Sequence, residues 1–208
     1  SSYGVREITL LGQNVNSYHG MNGDKETNFA ELLQIIANHL RDTNSSIGWV
    51  RFMSSHPKDL SDEVINVISK EEVLCNHIHL PVQHGSTRIL KEMNRRYTRE
   101  NYISLVEKIR KIIPNVSLTT DLMMGFPGET EEDFKETLKL AEECKFDSAF
   151  TFIYSPREGT PAAKMKDEVS LVEKEKRLYK LNEIINKYAR EANEKLIGKV
   201  MPVLLESI

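Results

Sequence analysis

Polar side chains follow each of five short β-rich segments, and their types suit the binding of a small polar ligand. The segments are residues 7–11, 49–53, 77–80, 116–122 and 148–153. Ligands of parallel α/β sheets bind beyond the carboxyl ends of the strands, where the connecting loops meet. Polar groups at all five ends therefore predict a site at one edge of the sheet. In chain order the candidates are Gln13, Asn14 and Asn16; Ser54 and Ser55; Gln83; Asp121; and Tyr154 and Arg157.

Residues 125–130, with the sequence GFPGET, connect the fourth strand segment to a helix. Glycine and proline favour a turn, and Thr130 with three nearby glutamates suits the start of a helix. Because glycine lacks a side chain, Gly125 would also allow a planar ligand to approach the backbone closely. The spacing alone does not separate this binding role from a structural turn.

Charge is unevenly distributed along the chain. Residues 88–111 contain eight Lys and Arg against three Glu, whereas residues 129–147 contain eight Asp and Glu against three Lys. Such segregation can focus a polyanion on one surface, although solvated helix faces are the alternative. Arg95 and Arg96 precede Tyr97, and guanidinium groups suit phosphate contacts while a phenol ring suits base stacking. We expect Arg95 and Arg96 to contact RNA, the alternative being a charged loop between helices.

Histidines and cysteines do not predict a metal site. His77 and His79 share one strand face and His84 follows, but satisfied structural roles are the simpler interpretation. Cys75 and Cys144 form no paired motif and are expected to be reduced core residues. We therefore expect no metal ligand in this chain.

Strands and helices alternate along the chain, and these elements must position the polar groups. Strands separated by helices of ten or more residues indicate βαβ units, a parallel sheet and the α/β class. A long last helix is predicted over residues 171–196, opened by a capping box of Ser170 and Glu173. Residues 200–205 predict one further strand. Three other helices have predicted N-caps at Ser61, Thr98 and Thr130.

Composition sets the broad class of protein. The 208 residues are 39% hydrophobic and 28% charged, as expected for a globular chain with one substantial core. No run of eighteen apolar residues and no secretory leader is present, so we expect a cytoplasmic protein without a membrane segment. The net charge of −3 gives no overall indication of nucleic-acid binding.

Six strings, in order along the chain, resemble the bacterial radical S-adenosylmethionine methylthiotransferases. The likeness to the branch of this family that acts on tRNA is greater than to the branch that acts on a ribosomal-protein aspartate, mainly in the second, fourth and sixth strings. The strings are LLGQNVNSY, RFMSSHPKDL, HLPVQHGS, ILKEMNRRYT, TTDLMMGFPGET and FTFIYSPREGTPAAKM.

This resemblance implies a partial (β/α) barrel of the radical S-adenosylmethionine type, here missing its first strand, with a long C-terminal helix. It implies an incomplete core over residues 1–197 and, over residues 198–208, the start of a truncated TRAM-like RNA-binding barrel. It also implies that the residues at the strand ends bind S-adenosylmethionine. These are Gln13, Asn14, Asn16, Ser54, Ser55, Gln83, Asp121, Gly125, Tyr154 and Arg157.

Cysteine usage departs from the family pattern. The CxxxCxxC motif that supplies three thiolates to a 4Fe–4S cluster is absent. We therefore expect a catalytic-core fragment, inactive alone, of a monomeric tRNA methylthiotransferase that uses S-adenosylmethionine and 4Fe–4S clusters. The implied substrate is dimethylallyl-adenosine beside the anticodon, with no membrane partner. Alternatives are a methylthiotransferase of a ribosomal-protein aspartate, a non-catalytic RNA-binding α/β module, and a sugar-phosphate enzyme with a basic phosphate cradle.

Overall fold

Five parallel strands form one side of the molecule in the computed structural model, which describes residues 4–53 and 55–205. Strand β1 (Glu7–Leu10) pairs in parallel with β4 (Trp49–Phe52). Strands β5 (His77–His79), β6 (Ser117–Met124) and β7 (Ser148–Ile153) form a second parallel ladder, with β6 in the centre. The two ladders lie side by side.

Backbone hydrogen bonds join the two ladders. Val50, in β4, accepts a bond from the amide of Cys75 and donates one to the carbonyl of Val73, just before β5. At the other end, the amide of Ser55 lies 3.4 Å from the carbonyl oxygen of His79. The five strands therefore follow the order β1, β4, β5, β6, β7, and the carboxyl ends of all five lie along one edge.

Helices connect the strands, as the predicted α/β class requires. Ser61, Thr98 and Thr130 cap their helices as predicted. Ser170 accepts a hydrogen bond from the amide of Glu173, but the carboxylate of Glu173 lies near Arg177 and does not close the predicted box. The helices are α1 (Phe29–Asp42), α2 (Asp62–Lys70), α3 (Thr87–Glu92), α4 (Arg99–Ile112), α5 (Glu131–Cys144) and α6 (Leu171–Glu194).

The hydrophobic core lies between the sheet and the helices. On β6, Leu118 and Leu122 are fully buried against it, and Tyr102 of α4 and Phe134 of α5 pack in the same core. The alternate residues of the strands point to the opposite face of the sheet. That face carries mostly polar side chains, with Phe150 and Phe152 exposed at its β7 side, and we call it the polar face. No helix of the described residues is long and apolar enough to cross a membrane.

Two features differ from the sequence-based expectations. Strands β2 (His19–Asn22) and β3 (Lys25–Asn28) form an antiparallel hairpin, which the apolar pattern did not reveal because both strands are largely exposed. The strand predicted over residues 200–205 is wrong: these residues have no regular secondary structure, and Val200 and Val203 are exposed. A strand needs a hydrogen-bonded neighbour, and residues 200–205 pair with none within the described chain.

Basic and acidic segments neutralise each other where they meet. Arg88 pairs with Asp133, and Arg99 pairs with Glu143 at 2.7 Å, so residues from the two oppositely charged segments face one another. Part of the expected charge segregation is therefore neutralised by ion pairs within the chain. Arg96 remains exposed and makes no ion pair within the described residues.

Candidate functional site

A cavity of about 420 Å³ opens at the carboxyl ends of the strands. Loops that follow β1, β4 and β5 contribute to its wall, together with the carboxyl half of β6 and the connection between α3 and α4. Six residues from the predicted site and the predicted RNA contacts are thus brought together by five separate stretches of chain. The lining residues are Gln13, Asn14, Ser55, His56, Pro57, Pro81, Gln83, Arg95 and Asp121.

Gln83 occupies the centre of this edge with an unusual backbone conformation. Its φ of 71° lies in the left-handed region, which residues other than glycine adopt rarely. Two bonds impose it: the amide of Gln83 donates to the carbonyl of Asp121 at 2.8 Å, and its carbonyl accepts from the amide of Met123 at 2.8 Å. Such conformations persist where the surroundings enforce them, and they cluster at functional sites.

Asp121 is the acidic residue among those that line the cavity. Its side chain is 26% exposed, so the carboxylate reaches the open space. One of its oxygens lies 3.4 Å from Nε2 of His79, which is almost completely buried beneath it. The carboxylate can therefore accept hydrogen bonds from hydroxyl or ammonium groups of a ligand, and the imidazole of His79 lies close behind it.

Arg95 lines the same cavity, a position that the sequence did not indicate. Its Nε is buried and makes no hydrogen bond within the described residues. Burial and then the adjacent charge of Arg95 lower the pKa of His56, which keeps that imidazole neutral near pH 7. The guanidinium of Arg95 is thus available to an anionic group in the cavity, such as a carboxylate.

Asn14 and Asn16 fix the loop that carries His56. The amide of His56 donates to the side-chain oxygens of both asparagines, and the Asn16 side chain returns a bond of 2.9 Å to the carbonyl of His56. Asn14 also donates to Asp59. Burial alone would raise the pKa of Asp59, but hydrogen bonds from Ser17 and Asn14 outweigh it and lower the pKa. Asn16 is buried and does not line the cavity.

Gly125, Tyr154 and Arg157 lie outside the lining of this cavity. Gly125 has a φ of 71°, and a β-carbon there would overlap the side chain of Lys174. Tyr154 packs edge-on against Phe126, with ring centroids 5.3 Å apart, and its buried hydroxyl has no partner within the described residues. Arg157 is exposed in the following loop, and Ser54 lies outside the described residues.

A buried charge cluster beside the cavity was not found from the sequence. Both oxygens of Glu129 are used: one accepts from the amide of Gly125 at 2.7 Å and lies 3.2 Å from Nε2 of His84, and the other accepts from Arg177 at 2.6 Å. The side chains of Glu129 and His84 are completely buried. Burial would raise the pKa of Glu129, but the bonds from His84 and Arg177 outweigh it and lower the pKa.

This cluster ties the loops after β5 and β6 to helix α6. His84 directly follows Gln83, and Gly125 directly follows β6, the strand that carries Asp121. The sequence places Arg177 forty-eight residues after Glu129, so no local pattern could have revealed the contact. The cluster therefore fixes two of the cavity walls from outside the cavity.

The cysteines do not fit an iron–sulfur cluster. Cys144 is buried in the core, where burial raises its pKa to about 12. Burial also raises the pKa of Cys75, which lies at the opposite end of β5 from the cavity. The described residues contain no group of three His, Cys, Asp or Glu that could hold a metal ion. Thiolates for a 4Fe–4S cluster are therefore not provided by these two residues.

Sequence comparison finds close relatives of the chain. A protein from Clostridium botulinum (strain Okra), named tRNA-2-methylthio-N(6)-dimethylallyladenosine synthase, is 54% identical over 205 residues, which cover 99% of this chain and 44% of the relative. A protein of the same name from Acetivibrio thermocellus is 53% identical, over 99% of this chain and 42% of the relative. The chain thus spans less than half the length of these relatives.

Solved structures share the fold at low sequence identity. Coproporphyrinogen III oxidase (HemN) from Escherichia coli superposes with a TM-score of 0.60 and 21% identity, over 76% of this chain and 37% of that protein. The radical S-adenosylmethionine methyltransferase TsrM from Kitasatospora setae superposes with a TM-score of 0.54 and 15% identity, over 65% of this chain and 26% of that protein. The model of the Radical SAM superfamily matches residues 1–141. The chain therefore belongs to the radical SAM superfamily.

Proposed function

We propose that this chain binds S-adenosylmethionine in the cavity at the strand ends and forms part of a radical enzyme that methylthiolates tRNA. The observation that carries the proposal is the convergence of Gln83, Arg95 and Asp121 on one cavity. The names of relatives that are 53–54% identical support the reaction and its substrate, dimethylallyl-adenosine.

The cavity offers complementary groups for each polar part of S-adenosylmethionine. Arg95 would pair with the carboxylate, and Asp121 would accept bonds from the ammonium group or the ribose hydroxyls. Gln83 and Gln13 supply amide donors and acceptors, and Ser55 supplies a hydroxyl. When bound, S-adenosylmethionine supplies one-electron chemistry and a methyl group, while these residues bind and orient it. A 4Fe–4S cluster would need thiolates other than Cys75 and Cys144.

The remaining predicted site residues would act less directly. Asn14 and Asn16 would hold the His56 loop against the cavity, and Gly125 and Tyr154 would shape the loop after β6 through the contacts described above. Arg157, which is exposed, would meet the ligand or the substrate only at the rim of the site.

The RNA substrate would meet the surface beside the cavity. Arg96 is exposed and unpaired within the described residues, and it directly follows Arg95. We assign residues 1–197 to the core that binds S-adenosylmethionine and residues 198–208 to the start of a separate RNA-binding barrel. We expect the enzyme to act as a monomer in the cytoplasm, where the free thiols of Cys75 and Cys144 stay reduced.

Calorimetric titration of this chain with S-adenosylmethionine tests the proposal. We expect Gln83→Ala and Asp121→Ala each to weaken binding about tenfold, because each loses one or two hydrogen bonds to a charged or polar ligand. Glu142→Ala, which removes an exposed carboxylate on α5, is the matched control and should bind like the wild type. Equal affinity of all four proteins would exclude Gln83 and Asp121 as contacts of the ligand, and binding by none of them would favour a non-catalytic RNA-binding role.

A further inference from the structure

A line of four polar side chains crosses the polar face of the sheet and ends in the cavity. Nε2 of His77 lies 3.0 Å from the hydroxyl of Thr119, and the same hydroxyl lies 2.9 Å from Nδ1 of His79. Nε2 of His79 lies 3.4 Å from a carboxylate oxygen of Asp121. The parallel register, which sets His79 beside Thr119, brings all four onto one face.

The chemistry of these groups allows one low-energy direction for the hydrogen bonds. A neutral imidazole carries one N–H, and a threonine hydroxyl donates once while accepting from other groups. If Nε2 of His79 carries the proton, the positive N–H end of the ring is the end nearest the carboxylate of Asp121, and Nδ1 accepts from Thr119. The opposite tautomer would aim a lone pair at the carboxylate.

The same direction extends to His77. Because the Thr119 hydroxyl donates to His79, it must accept from Nε2–H of His77. Burial, followed by the charge of Arg51, lowers the pKa of His77, so this imidazole is neutral near pH 7 and has one proton to place. The tautomers of His77 and His79 are thus coupled through the hydroxyl of Thr119.

We propose that His79 is a positioning residue that orients the carboxylate of Asp121, with its tautomer set by Thr119 and His77. The proposal rests on the proposed function, since Asp121 would contact S-adenosylmethionine. His79 suits this role because its side chain is only 6% exposed. Its ring packs edge-on against Phe150, with ring centroids 6.0 Å apart, which restricts its rotation. The backbone of Asp121 is held independently by Gln83, so the side-chain orientation is the remaining freedom.

Imidazole nitrogen NMR spectra of the ¹⁵N-labelled chain test the tautomer directly, without any ligand. The chain has six histidines, and the signals of two are assigned by their loss in His77→Gln and His79→Gln. We expect both wild-type residues to be Nε2–H tautomers. Thr119→Val should convert His79 to a mixture of tautomers, Thr119→Ser should restore the wild-type spectrum, and Thr9→Val, at an exposed threonine of β1, should leave it unchanged.

Titration with S-adenosylmethionine then tests the effect on the site. We expect Thr119→Val to weaken binding about five- to tenfold and Thr119→Ser to bind like the wild type, as loss of one hydrogen bond predicts. An Nδ1–H tautomer of His79 in the wild type overturns the proposal, as does a Thr119→Val protein with wild-type spectrum and affinity. If the wild type does not bind S-adenosylmethionine, the proposed function fails, and the tautomer spectra alone decide whether the line orients Asp121.

Discussion

Replacing Glu129 with glutamine should destabilise the fold strongly, although the two side chains have nearly the same shape. The carboxylate accepts from Gly125, His84 and Arg177, whereas an amide has one oxygen and a second group that can only donate. In either orientation, the amide nitrogen would face a buried donor. The charge of Arg177 would also lose its buried partner.

The size of this effect follows from burial. Removing one partner of a buried ion pair costs about 3–5 kcal/mol. With a urea dependence of about 2 kcal/mol per molar, the unfolding midpoint of Glu129→Gln should fall by about 1.5–2.5 M at pH 7. Since the pKa of Glu129 is lowered in the folded state, the wild-type advantage is complete above the usual value of 4.5 and is lost as the pH falls through the folded pKa.

Urea unfolding followed by circular dichroism measures these midpoints. The control is Glu131→Gln, because Glu131 lies 3.6 Å from Arg177 but is 45% exposed, and an exposed pair contributes less than about 1 kcal/mol. Equal urea midpoints for Glu129→Gln and Glu131→Gln would contradict a large contribution from the buried ion pair. A difference between Glu129→Gln and the wild type that stays constant down to pH 3 would contradict the lowered pKa of Glu129.

Three further changes test the packing around the site. Gly85→Ala should lower stability by about 1–3 kcal/mol or more, because its β-carbon would overlap the backbone of Thr137; an unchanged melting temperature would contradict the close approach. Tyr102→Phe should cost about 1 kcal/mol in urea unfolding, since its buried hydroxyl donates a 2.7 Å bond to a backbone carbonyl; a gain in stability would show that the bond contributes nothing. Asp133→Asn should cost about 1–3 kcal/mol at pH 7, because its carboxylate accepts from Ser86 at 2.6 Å. Burial would raise the pKa of Asp133, but its hydrogen bonds outweigh burial and lower the pKa. The loss of stability in Asp133→Asn should therefore disappear as the pH falls well below the usual value of 3.8. A loss of stability that persists in acid would contradict this account.

The position of the cavity could be predicted from the sequence, because the order and direction of the strands are enough to determine which loops meet. Gln13, Gln83 and Asp121 follow or end parallel strands, and the carboxyl ends of such strands meet at one edge whatever the details of packing. The α/β class and the long helix α6 were confirmed for the same reason, since they follow from periodicity and caps.

Residues that reach the site through tertiary contacts could not be predicted in this way. Arg95 was expected to contact RNA, but the connection between α3 and α4 turns back over the strand ends and brings it into the cavity. Local charge gives no information about that turn. His84 and Glu129 meet across two loops, and neither loop contains a pattern that indicates the other.

Hairpin β2–β3 and residues 200–205 show two failures of apolar periodicity. It missed two strands, and it predicted a third that the described residues do not form. The hairpin forms from exposed residues whose pairing is local, so apolar periodicity is silent about it. Residues 200–205 have the alternation of a strand but lack a neighbour with which to pair in the described chain. Strand propensity shows only that a segment can form a strand, and the presence of a neighbouring strand decides whether it does.

Helix α6 determines how much of the chain can fold as an autonomous unit. The superfamily match ends at residue 141, within α5, yet Arg177 neutralises Glu129, and Leu181 and Ile185 of the same helix close the core. A polypeptide trimmed to the matched segment would lose the cation that pairs with Glu129 and the apolar side chains of α6 that cover the core. We therefore expect the shortest independently stable piece to extend at least through Ile185.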